Sequence, residues 1–479
     1  MAFGSTIGGW RGESDPGTGP RALRPWCCAV ALGLALCLHG VGPAQAGEDE
    51  GALGSSFLSD TSLDAGLDAE VETAFETDDA SGQKFEVQVW PELVIDFPGG
   101  LSVTAMGRLR GDAFDELEPG SPAQDTTAPQ TRRALIGDDV ELELRELYAE
   151  KQLGDLHLTL GKQQVVWGQA DGLKVLDIVN PQDFREFILD EFVDSRIPLW
   201  TFNAEVDMGD VTTQFLWLPD QTYNDIAEPG ALFAFTAPQF TPALPPGAVG
   251  VVQRSPDRPS AFFQDSNVGV RLSAFVDGWD LTANYLYHYS NNPVFFQSLV
   301  PTPAGPVLVV TPEYRRSHLI GGTFSNAFGD FVIRGEAAFL TDRFSLTSLA
   351  VDPNGVTESN EISYVLGVDW YGLDDVLLSG QMFQSILTDA GSGLIRDHVE
   401  TSFTLLARHS FLDDELEADV IWLTSLNKAD GLIRLELTYD LWDGLEVWAG
   451  GDIFYGASDG FFGQFNDRDR VVTGLKWHW

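Results

Sequence analysis

The stretch Val471-Val472-Thr473-Gly474-Leu475-Lys476-Trp477-His478-Trp479 ends the chain. Val471, Thr473, Leu475, Trp477 and Trp479 share one parity, and Val472, Gly474, Lys476 and His478 share the other. Successive side chains of an extended strand point to opposite faces, so a period of two gives a strand one oily face and one wetter face. The period recurs upstream. Ile433, Leu435, Leu437, Tyr439 and Leu441 alternate with Arg434, Glu436, Thr438 and Asp440. Trp279, Leu281, Ala283, Tyr285, Tyr287 and Tyr289 alternate with Asp280, Thr282, Asn284, His288 and Ser290, and Leu286 breaks the pattern. Leu101, Val103, Ala105, Gly107 and Leu109 alternate with Ser102, Thr104, Arg108 and Arg110, with Met106 as the exception.

Tight turns rich in Gly and Asp join such segments in pairs: Pro98-Gly99-Gly100, Leu153-Gly154-Asp155, Met208-Gly209-Asp210, Asp277-Gly278-Trp279, Phe328-Gly329-Asp330, Gly372-Leu373-Asp374, Leu412-Asp413-Asp414 and Trp442-Asp443-Gly444. Gly and Asp tolerate the backbone angles of short hairpins. The connections at the other end are longer; 113–138, 167–196, 219–263 and 292–312 are the longest. Short turns at one end and long loops at the other are the pattern of a transmembrane barrel. A soluble sandwich has no reason to sort its loops this way. Hydrocarbon cannot satisfy an open sheet edge, so a spanning sheet must close. The expected fold is all-β, an up-and-down antiparallel transmembrane β-barrel. Eight hairpins and the last strand make an odd number, whereas bacterial single-chain barrels have an even one. A further strand within 55–82 brings the count to 18; 16 results if one hairpin folds inward.

The N-terminal region reads as an export signal. Arg21 and Arg24 precede an apolar run from Cys27 to Leu38, and Ala44-Gln45-Ala46 supplies small residues at a cleavage site after Ala46. The run is too short for a spanning helix. The expected domains are therefore a signal peptide over 1–46, an acidic flexible leader over 47–83 that holds a possible first strand, and a barrel over 84–479. All three cysteines, Cys27, Cys28 and Cys37, fall in the signal, so the mature chain has no disulfide, thiol nucleophile or cysteine metal site. The formal net charge is −44, with Asp+Glu 72 against Lys+Arg 28. Such a field repels nucleic acid. The expected surroundings are outer-membrane lipid and lipopolysaccharide.

Charges recur opposite the oily faces, at Arg108, Arg110, Glu141, Glu143, Arg145, Arg271, Arg334, Glu336, Arg434 and Glu436. Arg or Lys at the lipid midplane costs ~2–4 kcal/mol, so these residues are expected to face the lumen. There they either set a transverse field across a pore, as charged rings do in channels, or pair with each other and fill space.

Residues 161–200 are too rich in large apolar side chains for an exposed loop. Phe184, Phe187, Ile188 and Phe192 are spaced to share one face of a short helix. The segment is expected to fold inward as a constriction or plug, with Trp167, Asp171, Asp177, Asn180, Asp183, Arg185, Asp194 and Arg196 as its candidate functional residues.

Gly161, Lys162, Gln163, Trp167, Gly168, Asn180, Pro181 and Asp183 form a Gly-Lys-Gln…Trp-Gly…Asn-Pro-x-Asp run. It resembles a Gram-negative outer-membrane family known as a domain of unknown function, near the alginate-export and porin-like barrels. The resemblance implies a monomeric or small-oligomeric barrel for passage of small or elongated molecules, and it supplies no substrate. The closing strand, with Trp477 and Trp479, resembles the signal read by the outer-membrane barrel assembly machinery, which is thus an expected partner.

The resulting reading is an outer-membrane channel, or porin, for small solutes. The alternatives are a barrel that moves hydrophobic or polymeric cargo with periplasmic partners, and a barrel enzyme or surface-binding protein. No Gly-x-Ser-x-Gly occurs, and His157, His288, His318, His398, His409 and His478 have no metal-ligand spacing. No enzymatic activity and no cofactor are expected. Asp112, Asp115, Glu116 and Glu118 are read as a solvated acidic loop in preference to a calcium site.

Overall fold

The computed structural model describes residues 61–479. The expected signal peptide, with its expected cleavage site after Ala46, lies outside them. Eighteen antiparallel strands close into one barrel. In chain order they are β1 Ser62–Glu76, β2 Gly82–Phe97, β3 Leu101–Asp112, β4 Val140–Leu153, β5 Leu156–Gln163, β6 Leu199–Asp207, β7 Val211–Leu218, β8 Asn267–Val276 and β9 Trp279–Tyr289. The second half comprises β10 Arg316–Phe328, β11 Phe331–Leu346, β12 Val356–Leu373, β13 Val376–Leu387, β14 Val399–Phe411, β15 Leu416–Ser425, β16 Asp430–Trp442, β17 Leu445–Tyr455 and β18 Arg470–His478. Each strand pairs with its sequence neighbour. β18 then pairs with β1, from Asp68 opposite His478 to Glu76 opposite Arg470. Trp479 completes this seam, donating its N–H to the Leu67 carbonyl at 3.0 Å and accepting the Leu67 N–H at 2.9 Å. Closure leaves no unpaired edge for lipid to meet.

The strand needed for an even count is β1, and β2 already begins at Gly82. All eight tight turns are hairpins. At Asp277-Gly278 both residues have positive φ, 51° and 85°. That is the turn whose twist matches the flanking strands, and it is why Asp and Gly stand there. One turn is offset from its sequence reading: β12 runs on through Gly372 and Leu373 and turns at Asp374-Asp375.

The outward parity forms an apolar belt, with Leu109, Phe202, Phe215, Leu272, Ile320, Leu366, Leu405, Leu435, Ile453 and Leu475 all exposed. Aromatics border the short turns: Phe275, Trp279, Phe328, Phe331, Trp370, Phe411 and Trp442. Trp279 packs on Phe328 with ring centroids 5.9 Å apart. Trp217, Phe262 and Phe263 cluster at the loop end. A belt between two aromatic girdles suits a lipid-facing barrel surface. Met106 is an apolar side chain on the inward parity of Thr104 and Arg108; beside it the β3–β4 register shifts between Met106 and Gly107, where Arg145 is the extra residue of a bulge in β4.

The long connections lie at one end. A three-stranded sheet of Val251–Gln253, Val294–Thr302 and Gly305–Glu313 is built from two of them. Residues 164–198, between β5 and β6, make contacts across the barrel interior.

Candidate functional site: the lumen and its plug

Asn180 fixes the base of the 164–198 segment. Its side-chain oxygen accepts the Val165 N–H at 2.7 Å, and its Nδ2 donates to the Ile197 carbonyl at 2.9 Å. One side chain thus ties the outgoing and returning limbs together. Between these limbs Arg196 holds Asp177 at 2.8 Å, and Lys174 lies 3.3 Å from Asp177.

The first half of the plug packs on the walls of β7 to β13. Trp167 is 1% exposed, and its indole N–H donates to Gln214 Oε1 on β7 at 2.8 Å. Val165, Trp167, Val175, Leu176 and Val179 form one core with the inward side chains Leu216, Leu218, Leu286, Leu319, Ala338, Leu340, Val365 and Phe383. The inner wall here is oily, and Leu286 breaks its strand's alternation because it faces the plug. Glu336 of β11 accepts the backbone N–H groups of Gln169 and, at 3.1 Å, Leu176. Arg334 pairs with Asp171 and, at 2.9 Å, with Asp369, while Gln381 donates to Asp171 at 2.8 Å.

The second half crosses to the opposite wall. Phe187, with φ at 58°, is 2% exposed. Its ring touches Phe461 and Phe465 at 4.8 Å between centroids, and Phe235, Phe454 and Phe462 at about 6 Å. Leu423, Leu432, Phe233 and Leu189 complete this core. No helix spans 184–192. The one helical turn is Phe192–Ser195, and Phe187 adopts the left-handed region, so the shared helical face expected for Phe184, Phe187, Ile188 and Phe192 does not form. Asp183 and Phe184 instead bridge to Asp225 and Ile226 of the 219–266 loop.

Between the two apolar anchors lies a buried ionic network. Arg185 pairs with Glu86 of β2 at 2.8 Å. Glu186 pairs with Lys84 at 2.7 Å and with Arg470 at 3.2 Å. Arg110 contacts Glu141, Glu118 at 2.9 Å and Asp183 at 3.7 Å. Arg133 joins Glu118, Glu141 and Asp225 at 2.9–3.1 Å. Burial works against the charge on Arg185, but Glu86, Asp190 and Glu186 outweigh it and hold its pKa well above the ordinary value. Burial likewise opposes Glu186, and Lys84, Arg470 and Arg185 outweigh it and hold the carboxyl well below its usual range.

Every lumen candidate lies on the inward parity, but most are paired. Arg108 meets Glu143 at 2.7 Å, and Arg145 lies 3.9 Å from Glu143 and donates to the carbonyls of Val193 and Asp194 at 2.8 Å. Arg108 and Arg110 are 5% and 3% exposed and do not face open water: Arg108 is paired on the wall, and Arg110 reaches Asp183 of the plug. Arg271 donates to the Val166 carbonyl at 3.1 Å, and Arg434 pairs with Asp452 at 3.0 Å. Glu436, opposite Asp419 on β15, takes a 3.4 Å hydrogen bond from Thr438. Lys84, Glu86, Arg133, Glu186, Asp452 and Arg470 belong to the network but were not singled out by sequence, and Glu118, read there as part of a solvated acidic loop, belongs to it too. Lys84 and Glu86 do carry a sequence signal, since they alternate with Phe85 and Val87 on β2. Of the acidic-loop residues, Asp112 accepts the N–H groups of Phe85 and Phe114, and Glu118 is held by two arginines. Among the described residues no group of three His, Cys, Asp or Glu is arranged to hold a metal ion.

On one side the plug leaves a gap. A cavity of about 350 Å³ lies between it and the β12–β14 wall. Leu173, Phe184, Ile188 and Phe192 line its plug side, while Glu361, Tyr364, Ser385 and Ser402 line the barrel side.

Solved structures share this architecture. OccAB2 of Acinetobacter baumannii aligns with a TM-score of 0.50 at 10% identity, over 88% of this chain and 99% of its own. OccK5 of Pseudomonas aeruginosa gives 0.46 at 13% identity, over 88% and 98%. OpdK of Pseudomonas aeruginosa, crystallised with vanillate, gives 0.48 at 12%, over 88% and 99%. At such identity the first likeness shows the fold alone: a porin-like barrel. No curated protein matches the sequence. One family model, described as "Protein of unknown function (DUF1302)", matches residues 109–478, a span that covers most of the barrel and the whole plug, and the chain belongs to that family.

Proposed function

We propose that the chain is an outer-membrane channel through which small solutes pass beside a fixed internal plug. The observation that carries this reading is the cavity along β12–β14. Elsewhere the plug packs on the wall through apolar side chains and ion pairs, and here it leaves a solute-sized space. The volume falls in the range of small-molecule sites. An N-terminal signal read by the export machinery, an apolar belt between aromatic girdles and a seam closed by Trp479 fit residence in the outer membrane, with lipopolysaccharide around the loop end and the barrel assembly machinery as the inserting partner.

The test is to refold the mature chain in detergent, insert it into a planar bilayer and record single channels. Stable openings with reproducible ion selectivity are expected; a correctly folded barrel that never conducts refutes the reading. One observation favours a second reading, a barrel that passes hydrophobic cargo from periplasmic partners: the plug side of the cavity is predominantly aromatic and aliphatic. Under it the barrel is silent to ions, and its loss changes lipid or polymer handling.

A further inference from the structure

The cavity beside the plug has a lining that narrows what it admits; this step rests on the channel reading above. Four charged side chains reach it: Lys174, Asp190, Glu361 and Glu400. Three are matched. Lys174 lies 3.3 Å from Asp177, donates to Gln182 and sits over the Phe192 ring at 4.2 Å. Glu361 is held by Arg343 at 3.0 Å and by hydroxyl donors from Ser363 and Ser385. Glu400 is held by Arg396 at 2.8 Å. Asp190 alone has neither a hydrogen bond nor an ion pair among the described residues. Beside it stand the apolar faces of Phe184, Ile188 and Phe192.

We propose that this cavity is a binding station for amphipathic cations, in which an ammonium group meets Asp190 and an aromatic or aliphatic body lies against Phe184, Ile188 and Phe192. The two halves of such a solute need different surroundings, and the cavity supplies both. The Asp190 carboxylate, which no ion pair or hydrogen bond holds directly, gives the ammonium a counter-charge. The apolar body leaves water for an apolar wall. A carboxylate solute of the same size meets three acidic groups and one ammonium that is already engaged. Burial, then Glu186, pushes the Asp190 carboxyl up to about 7; Asp183 adds to this repulsion, while Arg185 and Lys84 oppose it. A bound cation relieves that burden, so binding strengthens as pH rises through about 7.

The test uses the full mature chain in planar bilayers, with benzylammonium, methylammonium and benzoate as probes at pH 8. Benzylammonium is expected to interrupt the current at concentrations where methylammonium and benzoate do not. Asp190→Asn is expected to weaken this block about tenfold, and Asp190→Glu to retain it. Heat-modifiable migration reports that each variant is folded. Equal block by benzylammonium and benzoate, or block that Asp190→Asn leaves unchanged, overturns the cation station and leaves the channel standing. A folded barrel that never conducts overturns both.

Discussion

Arg470 in the last strand grips Glu186 in the plug: both terminal guanidinium nitrogens lie 3.2 Å from one carboxylate oxygen, and each residue is at most 2% exposed. The same carboxylate receives Lys84 from β2 at 2.7 Å. A buried pair is weak evidence for stability as a whole, but removing one member strands the other's charge, at about 3–5 kcal/mol. Glu186→Ala is therefore expected to lower the thermal transition of the purified barrel clearly, and Glu186→Gln by less. Calorimetry or heat-modifiable migration checks both.

Asn180→Ala removes the staple between the limbs of the plug. It leaves the buried Val165 N–H without its acceptor, at a cost of about 1–3 kcal/mol. The barrel is expected to stay closed while the plug loosens. Limited proteolysis should then cut within 170–190 in the variant and not in the parent protein.

Phe187→Ala deletes the ring at the centre of the aromatic core that joins the plug to Phe461, Phe462 and Phe465. Loss of a buried Phe costs about 3–5 kcal/mol. Because the core anchors one end of the plug, channel noise is expected to rise along with the loss of stability. Single-channel recording separates the two effects.

Asp190 is expected to cost stability at neutral pH. Its folded-state pKa, about 7, lies above the ordinary carboxyl value, so the folded chain holds this proton more tightly than the unfolded one. Stability from this group is then present at low pH and declines as pH rises towards 7. Asp190→Asn should raise stability at pH 8 by about 1–3 kcal/mol and change little at pH 4. Denaturant titrations at the two pH values measure it. A residue that weakens the fold where it works is typical of a binding group.

The barrel was legible because its physics is local. Alternation and Gly/Asp turns are read within ten residues, and the even strand count then points to a strand within 55–82, with 16 strands as the alternative. The plug's existence was legible from the apolar content of 161–200, and Trp167, Asn180, Asp183 and Arg185 each make contacts that fasten it. Its conformation was not. Phe187 holds a left-handed backbone angle that tertiary packing imposes, and spacing alone suggested a helix. The oily inner wall left a trace in Phe215-Leu216-Trp217-Leu218, a continuous apolar run that marks a strand covered on both faces. Leu286 left another. Phe233, Phe235, Phe461 and Phe465 left none, because they meet Phe187 only through long-range closure of the loops.

The central claim is that residues 164–198 divide the lumen and leave passage beside β12–β14. Deleting 167–196, with the ends joined by a short Gly-Ser linker, tests it most directly when parent and variant are recorded in the same bilayer. The account expects single-channel conductance to rise severalfold in a barrel that still shows heat-modifiable migration. A folded variant whose conductance equals that of the parent would contradict it.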